Sequence, residues 1–295
     1  MRVRASCIIM AQGGSTRCDR PPGGRRAGAR GARLAIAATL GLLWISPLGC
    51  RTEDPGKEGM NLTPTTLSYA DSARFAKERQ RMVAEQIAAR GVRDMTVLQA
   101  LRTVPRHEFV PDDQRSTAYR DSPLPIGFDQ TISQPYIVAL MTEALGLEGG
   151  EKVLEVGTGS GYQAAVLDEI AGSVFTIEIV PELAERARAT LDRLGYTDVK
   201  VRSGDGYRGW PEEAPFDAIV VTAAPDHVPQ PLLDQLAVGG RLVLPVGRNR
   251  QQLQVWTRTQ DGFEPRFSIP VQFVPMTGEA ETAKATQREK NARRQ

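Results

Sequence analysis

The stretch EKVLEVGTGSGYQAAVLD, residues 151–168, decides the fold. Its first residues form a short apolar run that predicts a buried strand, and its last residues predict a helix. Between them, Gly157 to Gly161 has glycine at every second position and predicts a tight turn. Strand, glycine turn and helix begin a parallel crossover unit, and ligands in such folds bind beyond the carboxyl ends of the strands. The stretch therefore predicts an α/β fold with a ligand site at this turn.

The alternation of strand and helix continues toward the C-terminus. Further strands are predicted at 173–179, 199–204, 216–224, 241–247, 253–259 and 267–275. Helices are predicted at 181–195 and 228–237, and Gly239 with Gly240 is expected to close the second one. No helix separates the last three strands. The pattern predicts a doubly wound sandwich around a parallel sheet, with an antiparallel edge at the C-terminus.

A helical extension is predicted ahead of this core. Its first helix covers residues 73–90, with Met82, Val83 and Ile87 on one face, and is expected to end at Gly91. Because these apolar residues share one face, we expect that face to pack on the core.

A second and a third helix are predicted before the glycine turn. The second covers 94–103, and the stretch 119–133 that follows is rich in turn-forming residues and is expected to be irregular. The third begins near Pro135, because proline is tolerated in the first turn of a helix, and Ser133 is in position to cap it.

The two ends of the chain are predicted to lie outside the folded body. Residues 1–50 contain eight Arg, no Lys and one acid, and an apolar run at 34–48 is followed by Cys50. This is typical of a secretory signal, of one that ends in a lipidated cysteine, or of an unprocessed anchor. A start of translation downstream of the segment is the alternative. Residues 51–72 are predicted to form a disordered linker and 279–295 a disordered charged tail.

The composition of the body predicted at 73–278 excludes several kinds of chemistry. All three cysteines lie in the first fifty residues, so a thiol nucleophile, a cysteine zinc site and a disulfide framework are excluded from the body. Residues 51–295 carry 29 of the 37 basic and 34 of the 35 acidic residues, a net charge of −5, which argues against nucleic-acid partners. The two histidines, His107 and His227, are expected to be structural.

Three details of the glycine turn distinguish the classes of ligand. Tyr162 stands where the dinucleotide fingerprint requires its third glycine, and no lysine follows the turn as it does in the phosphate-binding loop of nucleoside triphosphatases. Glu155, at the end of the strand, would repel a pyrophosphate but suits a ligand with positive charge. S-adenosylmethionine has no phosphate and carries an ammonium and a sulfonium group.

Two further acids follow at the ends of the next two predicted strands. Glu178 lies where a ribose diol would donate two hydrogen bonds to a carboxylate, and Asp205 lies where an adenine amino group can be bound. Three acids at three successive strand ends around one glycine turn predict S-adenosylmethionine as the cofactor. The predicted cofactor-binding residues are Glu155, Gly157, Gly159, Gly161, Glu178, Asp205 and Gly206.

Five sequence blocks along the body are distinctive enough to compare with known families. They are VPRHEFVP at 104–111, LPIGFDQTISQPYIVALM at 124–141, VLEVGTGSGYQAAVL at 153–167, GDGYRGWPEEAPFDAIVVTAAP at 204–225 and GGRLVLPVG at 239–247. Together they resemble the protein-L-isoaspartate (D-aspartate) O-methyltransferases over about residues 75–278. The glycine turn is shared by many methyltransferases, whereas the segment TISQPY is specific to this family. Asp129 departs from it, because the family often has glycine there.

The resemblance implies a Rossmann-like class I methyltransferase fold and a reaction. In that family a methyl group passes from S-adenosylmethionine to the free α-carboxylate of an L-isoaspartyl or D-aspartyl residue in a damaged protein, and closure of the ester to a succinimide begins repair. By resemblance Ser133 is the active-site serine, and Thr131 is a second catalytic candidate. A carboxylate with a pKa of about 3–4 needs no general base, so a body without cysteine is not handicapped.

The resemblance also sets the expected partners and the alternatives. Isoaspartyl-containing proteins and peptides are the expected partners, and a monomer is expected. The alternative function is another S-adenosylmethionine-dependent methyltransferase with a different substrate. S-adenosylmethionine is made and kept in the cytoplasm, so a cytoplasmic enzyme is predicted. The alternative is export or membrane association through residues 34–50 with a lipid on Cys50.

Overall fold

The computed structural model describes residues 64–281 of the 295-residue chain. The predicted signal or anchor segment at 1–50, the segment 51–63 and residues 282–295 lie outside this range. None of the helices within the range is long and apolar enough to cross a membrane.

The N-terminal extension is a helical layer, as predicted. Helix α1 (Pro64–Arg81) continues through a π-helical turn (Met82–Ile87) and a 3-10 turn (Ala88–Arg90), and the chain leaves it at Gly91 with φ of 106°. The three apolar residues predicted on its inner face lie in the π-helical turn and are fully buried. Both the buried face and the glycine stop are therefore confirmed.

This first helix begins earlier than predicted. Residues 64–72 belong to α1, whereas the sequence predicted a disordered linker over 51–72. Proline at the first position suits a helix start, and the pair Arg74–Glu78 has the i,i+4 spacing that stabilises a polar helix. The lack of apolar periodicity in this stretch therefore did not mean that it was unstructured.

A hairpin lies between the second and third helices, where only irregular chain was predicted. Helix α2 spans Met95–Thr103 after its N-cap Asp94, and helix α3 spans Pro135–Leu145. Strands β1 (Leu124–Gly127) and β2 (Gln130–Ile132) pair antiparallel between them. Both strands are short, which is why the sequence pattern did not reveal them.

The turn of this hairpin explains the departure at Asp129. Phe128 and Asp129 have φ of 55° and 56°. Two consecutive left-handed residues are the geometry of a type I′ turn, which matches the twist of paired strands. Glycine adopts this conformation at no steric cost, and aspartate tolerates it better than most other residues. Aspartate can therefore stand where the resembled family often has glycine.

The core is a seven-stranded sheet. Its strands are β3 (Lys152–Val156), β4 (Ser173–Glu178), β5 (Lys200–Ser203), β6 (Phe216–Val221), β7 (Leu236–Val246), β8 (Gln251–Arg258) and β9 (Phe263–Val271). Their order is β5-β4-β3-β6-β7-β8-β9, with β3 to β7 parallel and the last two antiparallel. The crossover helices are α4 (Tyr162–Asp168), α5 (Pro181–Leu194) and α6 (Gln230–Asp234). This confirms the doubly wound α/β sandwich with an antiparallel C-terminal edge.

Strand β7 is longer than predicted. Gly239 and Gly240, which were expected to close a helix, lie inside the strand, and α6 ends at Asp234. The pairing of β7 with β6 shifts in register between Leu236 and Arg241, so the residues between them bulge out of the ladder. Glycines are common at such bulges because they accept the irregular backbone.

Two apolar clusters cover the two faces of the sheet. One includes the buried residues of the N-terminal layer and of α3 and α4, and the other includes those of α6. Strand β3 lies between β4 and β6, with Val153 in the first cluster and Leu154 in the second. The order of the strands reverses at this point, so a crevice is expected at the carboxyl end of β3.

Candidate active site

A cleft opens where the crevice of the sheet is expected. Its lining comes from the ends of β3, β4 and β6, the glycine turn, strand β2 and the C-terminal segment Val274–Thr277. The cleft is open to solvent at its mouth, and residues from neighbouring strand ends meet in its lining.

Eight of the nine residues predicted as functional line this cleft. They are Thr131, Ser133, Glu155, Gly157, Gly159, Glu178, Asp205 and Gly206. The ninth, Gly161, precedes α4 with φ of 88°, and a Cβ there would lie 3.3 Å from Leu191 and 3.4 Å from Ala187 on α5. Gly161 is outside the lining, and its part is to let the turn pack closely against α5.

The glycine turn is fixed to the strands on both sides of β3. The amides of Gly157 and Thr158 donate to the carbonyl of Ile177 on β4 at 2.8 and 3.2 Å. The Thr222 hydroxyl, just after β6, donates to the Gly157 carbonyl at 2.6 Å. Gly157 has φ of 102°, and a Cβ would collide with the Thr222 hydroxyl. Only glycine therefore fits this position.

Glu155 is fully buried in the lining of the cleft. The Thr176 hydroxyl bonds its Oε2 at 2.6 Å, and a second bond of 2.6 Å joins the hydroxyls of Thr158 and Thr176. Its Oε1 has no hydrogen-bond partner among the described residues. Burial raises the pKa of Glu155 to about 8, although the Thr176 hydroxyl lowers it, and the charge of Glu178 adds to the rise. A buried carboxyl with a free oxygen suits a cationic group of a ligand.

Glu178 is oriented by two backbone amides at the end of β4. Its Oε2 accepts from Gly159 at 2.7 Å, and its Oε1 accepts from Val180 at 3.0 Å. Each carboxylate oxygen can accept a further hydrogen bond, so the side chain keeps the capacity to bind ribose hydroxyls. The bond to Gly159 also ties the glycine turn to this acid.

Asp205, just after β5, is held in the same way. Its Oδ1 accepts from the Tyr207 amide at 2.9 Å, and its Oδ2 accepts from the Glu279 amide at 2.7 Å. The Glu279 carboxylate bonds Nε of Arg208 at 2.8 Å through both oxygens. The disordered tail predicted at 279–295 therefore begins too early, because its first residue holds an acid of the cleft.

Sequence reasoning also missed the segment that follows β9. It returns to the end of β6, where the Ala224 amide donates to the Val274 carbonyl at 2.8 Å and the Met276 amide donates to the Ala224 carbonyl at 2.9 Å. These bonds bring Val274–Thr277 into the lining. No local pattern signals this contact, because it depends on where the antiparallel edge of the sheet returns the chain.

Ser133 and Thr131 enter the cleft from the start of α3 and from the hairpin. The N-cap of α3 is Gln134 and no side chain caps it, so the prediction that Ser133 caps this helix is wrong. Pro135 occupies the first helical position and so puts the cap one residue after Ser133. The Ser133 carbonyl accepts from Arg106 Nη2 at 2.8 Å, while its hydroxyl bonds no other residue of the described chain. The hydroxyl is therefore free to donate into the cleft.

Neither histidine belongs to the lining of the cleft. His107 Nδ1 lies 2.7 Å from the Tyr119 hydroxyl, and burial lowers the pKa of His107 to about 4, so its ring is neutral at physiological pH. His227 Nε2 lies 2.9 Å from the Tyr207 hydroxyl, and its Nδ1 lies 2.7 Å from Asp226. Both rings are engaged in local contacts.

Residues 77–281 match the family model described as protein-L-isoaspartate(D-aspartate) O-methyltransferase (PCMT), which is more than half of the chain. The chain belongs to this family. The match begins within α1 and ends at the last described residue, so it coincides with the folded body. The resemblance carried by the five sequence blocks is confirmed.

Individual relatives match over nearly their full length. A protein-L-isoaspartate O-methyltransferase of Picosynechococcus is 59% identical over 219 residues, which cover 74% of this chain and 98% of the relative. One of Gloeobacter violaceus is 60% identical over 200 residues, which cover 67% of this chain and 98% of the relative. A solved Plasmodium falciparum structure in complex with S-adenosyl-L-homocysteine aligns with a TM-score of 0.60 at 26% identity, covering 68% of this chain and 98% of that one.

The family gives the reaction and the cofactor. The enzyme methylates isoaspartyl residues and uses S-adenosylmethionine as the methyl donor. The predicted function, cofactor and class I methyltransferase fold are thereby confirmed, and a methyltransferase with a different kind of substrate is disfavoured. Proteins that contain isoaspartate follow as its substrates.

Glu279→Pro tests the contact between the C-terminal segment and Asp205. The variant lacks the amide N–H at position 279, and a lost hydrogen bond of this kind costs about 0.5–1.5 kcal/mol. The dissociation constant for S-adenosylhomocysteine, measured by calorimetry, should rise about three- to tenfold. Glu279→Ala is the matched control, because it keeps the amide N–H and loses the Glu279 carboxylate, as the proline variant also does. It should stay within about twofold of wild type, and an equal rise in both variants would contradict the assignment.

Glu155→Gln tests the buried carboxyl. Its pKa of about 8 in the folded protein lies above the usual 4.5, so folding favours the protonated carboxyl. The contribution of this proton to the unfolding free energy is fully present below about pH 4.5 and is lost as the pH rises through about 8. Between pH 5 and 9 the ligand-free wild type should lose on the order of 2–4 kcal/mol more unfolding free energy than the variant, measured in urea.

The control for this experiment is Glu264→Gln, which removes an exposed carboxyl on β9. It should follow the wild-type pH dependence. If Glu155→Gln also follows the wild type, the carboxyl is not the buried acid described here.

Proposed function

We propose that S-adenosylmethionine lies along the carboxyl ends of β3, β4 and β5, with one acid for each polar part of the molecule. Glu155 faces the ammonium group, Glu178 accepts the ribose hydroxyls, and Asp205 binds the adenine amino group. The unpartnered Oε1 of Glu155 and the backbone amides that orient the other two acids support this arrangement. The proposed cofactor-binding residues are Glu155, Gly157, Gly159, Glu178, Asp205 and Gly206.

We propose that Thr131 and Ser133 bind the acceptor carboxylate. Both residues line the same cleft as the three acids, and this is the observation that carries the proposal. The backbone amides at the start of α3 add further donors, and the N-terminus of a helix favours an anion. The α-carboxylate of an isoaspartyl residue is therefore a suitable occupant of this part of the cleft.

Catalysis in this site consists of positioning. The bound cofactor supplies an electrophilic methyl carbon on its sulfonium. The acceptor carboxylate, with a pKa of about 3–4, is ionised at neutral pH and needs no general base. Thr131 and Ser133 have to hold one carboxylate oxygen in line with the methyl carbon and the sulfur, and this orientation can account for most of the rate enhancement.

The product explains the place of the reaction in repair. The methylated residue carries an ester, and a main-chain amide nitrogen attacks its carbonyl carbon and expels methanol. The resulting succinimide is opened by water at either carbonyl, and one of the two openings restores a normal aspartyl residue. The enzyme therefore only has to form the ester.

We propose that the enzyme is a cytoplasmic monomer that acts on proteins and peptides. Supply of S-adenosylmethionine favours the cytoplasm, and the net negative charge of the body disfavours nucleic acid. Export, or membrane association through residues 34–50 with a lipid on Cys50, is the alternative, and these residues lie outside the described range.

Transfer of labelled methyl groups tests the proposal directly. The full-length protein should label a peptide that contains one isoaspartyl residue and leave the same peptide with normal aspartate unlabelled, because only the isoaspartyl residue presents a free α-carboxylate. Labelling is measured as base-labile radioactivity in the peptide. Equal labelling of the two peptides, or labelling of neither, would refute the proposed function.

Two variants separate the acceptor half of the cleft from the cofactor half. Ser133→Ala should lower kcat about tenfold or more while the dissociation constant for S-adenosylhomocysteine stays unchanged, because it removes a donor to the acceptor alone. Glu178→Ala should instead raise that dissociation constant. The reverse pattern would exchange the roles of the two residues.

A further inference from the structure

Arg106 is a fully buried cation behind the acceptor half of the cleft. Its Nε donates to the Ala118 carbonyl and its Nη2 donates to the Ser133 carbonyl, both at 2.8 Å. Its guanidinium carbon lies 4.9 Å from the centroid of the Tyr162 ring. Ser133 and Tyr162 both line the cleft, so one side chain supports two parts of its wall.

Arg106 forms no ion pair within the described part of the chain. Asp121, whose charge favours the cation, forms its ion pair with Arg90 at 2.6 Å. Among residues 64–281, Nη1 of Arg106 and the hydroxyl of Tyr162 have no partner at full hydrogen-bond geometry, and the interaction between these two side chains raises the pKa of Arg106. Burial lowers the pKa of Arg106 to about 10, which leaves the guanidinium charged at neutral pH. A buried charge without an ion-pair partner is costly, and an apolar side chain would fill the space without that cost.

The lining of the cleft makes such a charge useful. It contains three acids, Glu155, Glu178 and Asp205, and none of its described residues is Lys, Arg or His. An anionic acceptor that enters this cleft is repelled by the carboxylates that are ionised. A cation behind Ser133 opposes this repulsion, and it acts strongly because the buried guanidinium is poorly screened by water.

We propose that Arg106 is a positioning residue for the substrate carboxylate. It acts through Ser133 in two ways. Its fork of N–H groups fixes the Ser133 peptide against the segment before β1, and its charge raises the affinity of the acceptor half for an anion. This inference rests on the proposed acceptor role of Ser133, and it adds a residue that does not itself reach the cleft.

The test compares two peptides that differ only in charge at the acceptor group. One has the isoaspartyl α-carboxylate, and the other has an α-carboxamide in its place. Their dissociation constants are measured by calorimetry with enzyme saturated with S-adenosylhomocysteine. Wild type should bind the carboxylate peptide more tightly than the carboxamide peptide. In Arg106→Met the ratio of the two dissociation constants should fall about tenfold or more, while the affinity for S-adenosylhomocysteine stays within about twofold of wild type.

Arg106→Lys separates the charge from the geometry and covers the case in which the methionine variant does not fold. Lysine cannot present the planar fork that bonds two carbonyls, and burial lowers the pKa of an ammonium, so the variant gains its charge only as the pH is lowered. It should therefore show a lower kcat than wild type and recover most of the preference for the carboxylate toward low pH. Loss of the preference at every pH would contradict the role of the charge, and an unchanged kcat would contradict the role of the fork.

Arg79→Met is the matched control. Arg79 belongs to the same helical layer and bonds the Arg102 carbonyl and the Tyr119 hydroxyl, but neither partner lines the cleft. Its removal should lower the melting temperature without changing the preference for the carboxylate. A wild-type enzyme without this preference would refute the proposed acceptor site, whereas an unchanged preference in Arg106→Met would overturn this inference alone.

Discussion

The attachment of the glycine turn to two strands is the constraint on which the rest of the site depends. The amides of Gly157 and Thr158 bond the Ile177 carbonyl of β4, and the Thr222 hydroxyl after β6 bonds the Gly157 carbonyl. Strands β4 and β6 lie on opposite sides of β3, where the order of the strands reverses. The connections on the two sides therefore run apart, which leaves a crevice at the carboxyl end of β3. The turn and Glu155 both line this crevice.

The sequence predicted those parts of the site that follow from periodicity. An acid at the end of a parallel strand must lie at the ligand edge of the sheet, which is why Glu155, Glu178 and Asp205 were found. Contacts that depend on the return of a distant segment have no signal in the local sequence. The hydrogen bond from the Glu279 amide to Asp205 is one of them. Gly161 stays a prediction as a cofactor-binding residue, and its close packing against α5 was not foreseen, because spacing alone does not distinguish a glycine near a ligand from one near a helix. The hairpin β1–β2 was not predicted because its strands are too short to show an alternation of apolar and polar residues.

The charges of the site are divided between its two halves. The cofactor half collects carboxylates, which suit a sulfonium and an ammonium group. The proposed acceptor half, around Thr131 and Ser133, has no charged residue in its described lining, and the Arg106 cation lies behind Ser133. This division suits a reaction in which the substrate brings the nucleophile, because the protein has to hold an anion beside its own acids without donating or accepting a proton. It also explains how a body without cysteine and with two structural histidines can be a catalyst.

The most direct test of this division is a crystal structure of the enzyme with S-adenosylhomocysteine and an isoaspartyl peptide. The α-carboxylate should lie within hydrogen-bond distance, about 2.7–3.2 Å, of the Ser133 or Thr131 hydroxyl, with the sulfur of the cofactor product facing it. The Arg106 guanidinium should still bond the Ser133 carbonyl. A carboxylate bound instead at His227, away from the start of α3, would contradict the account.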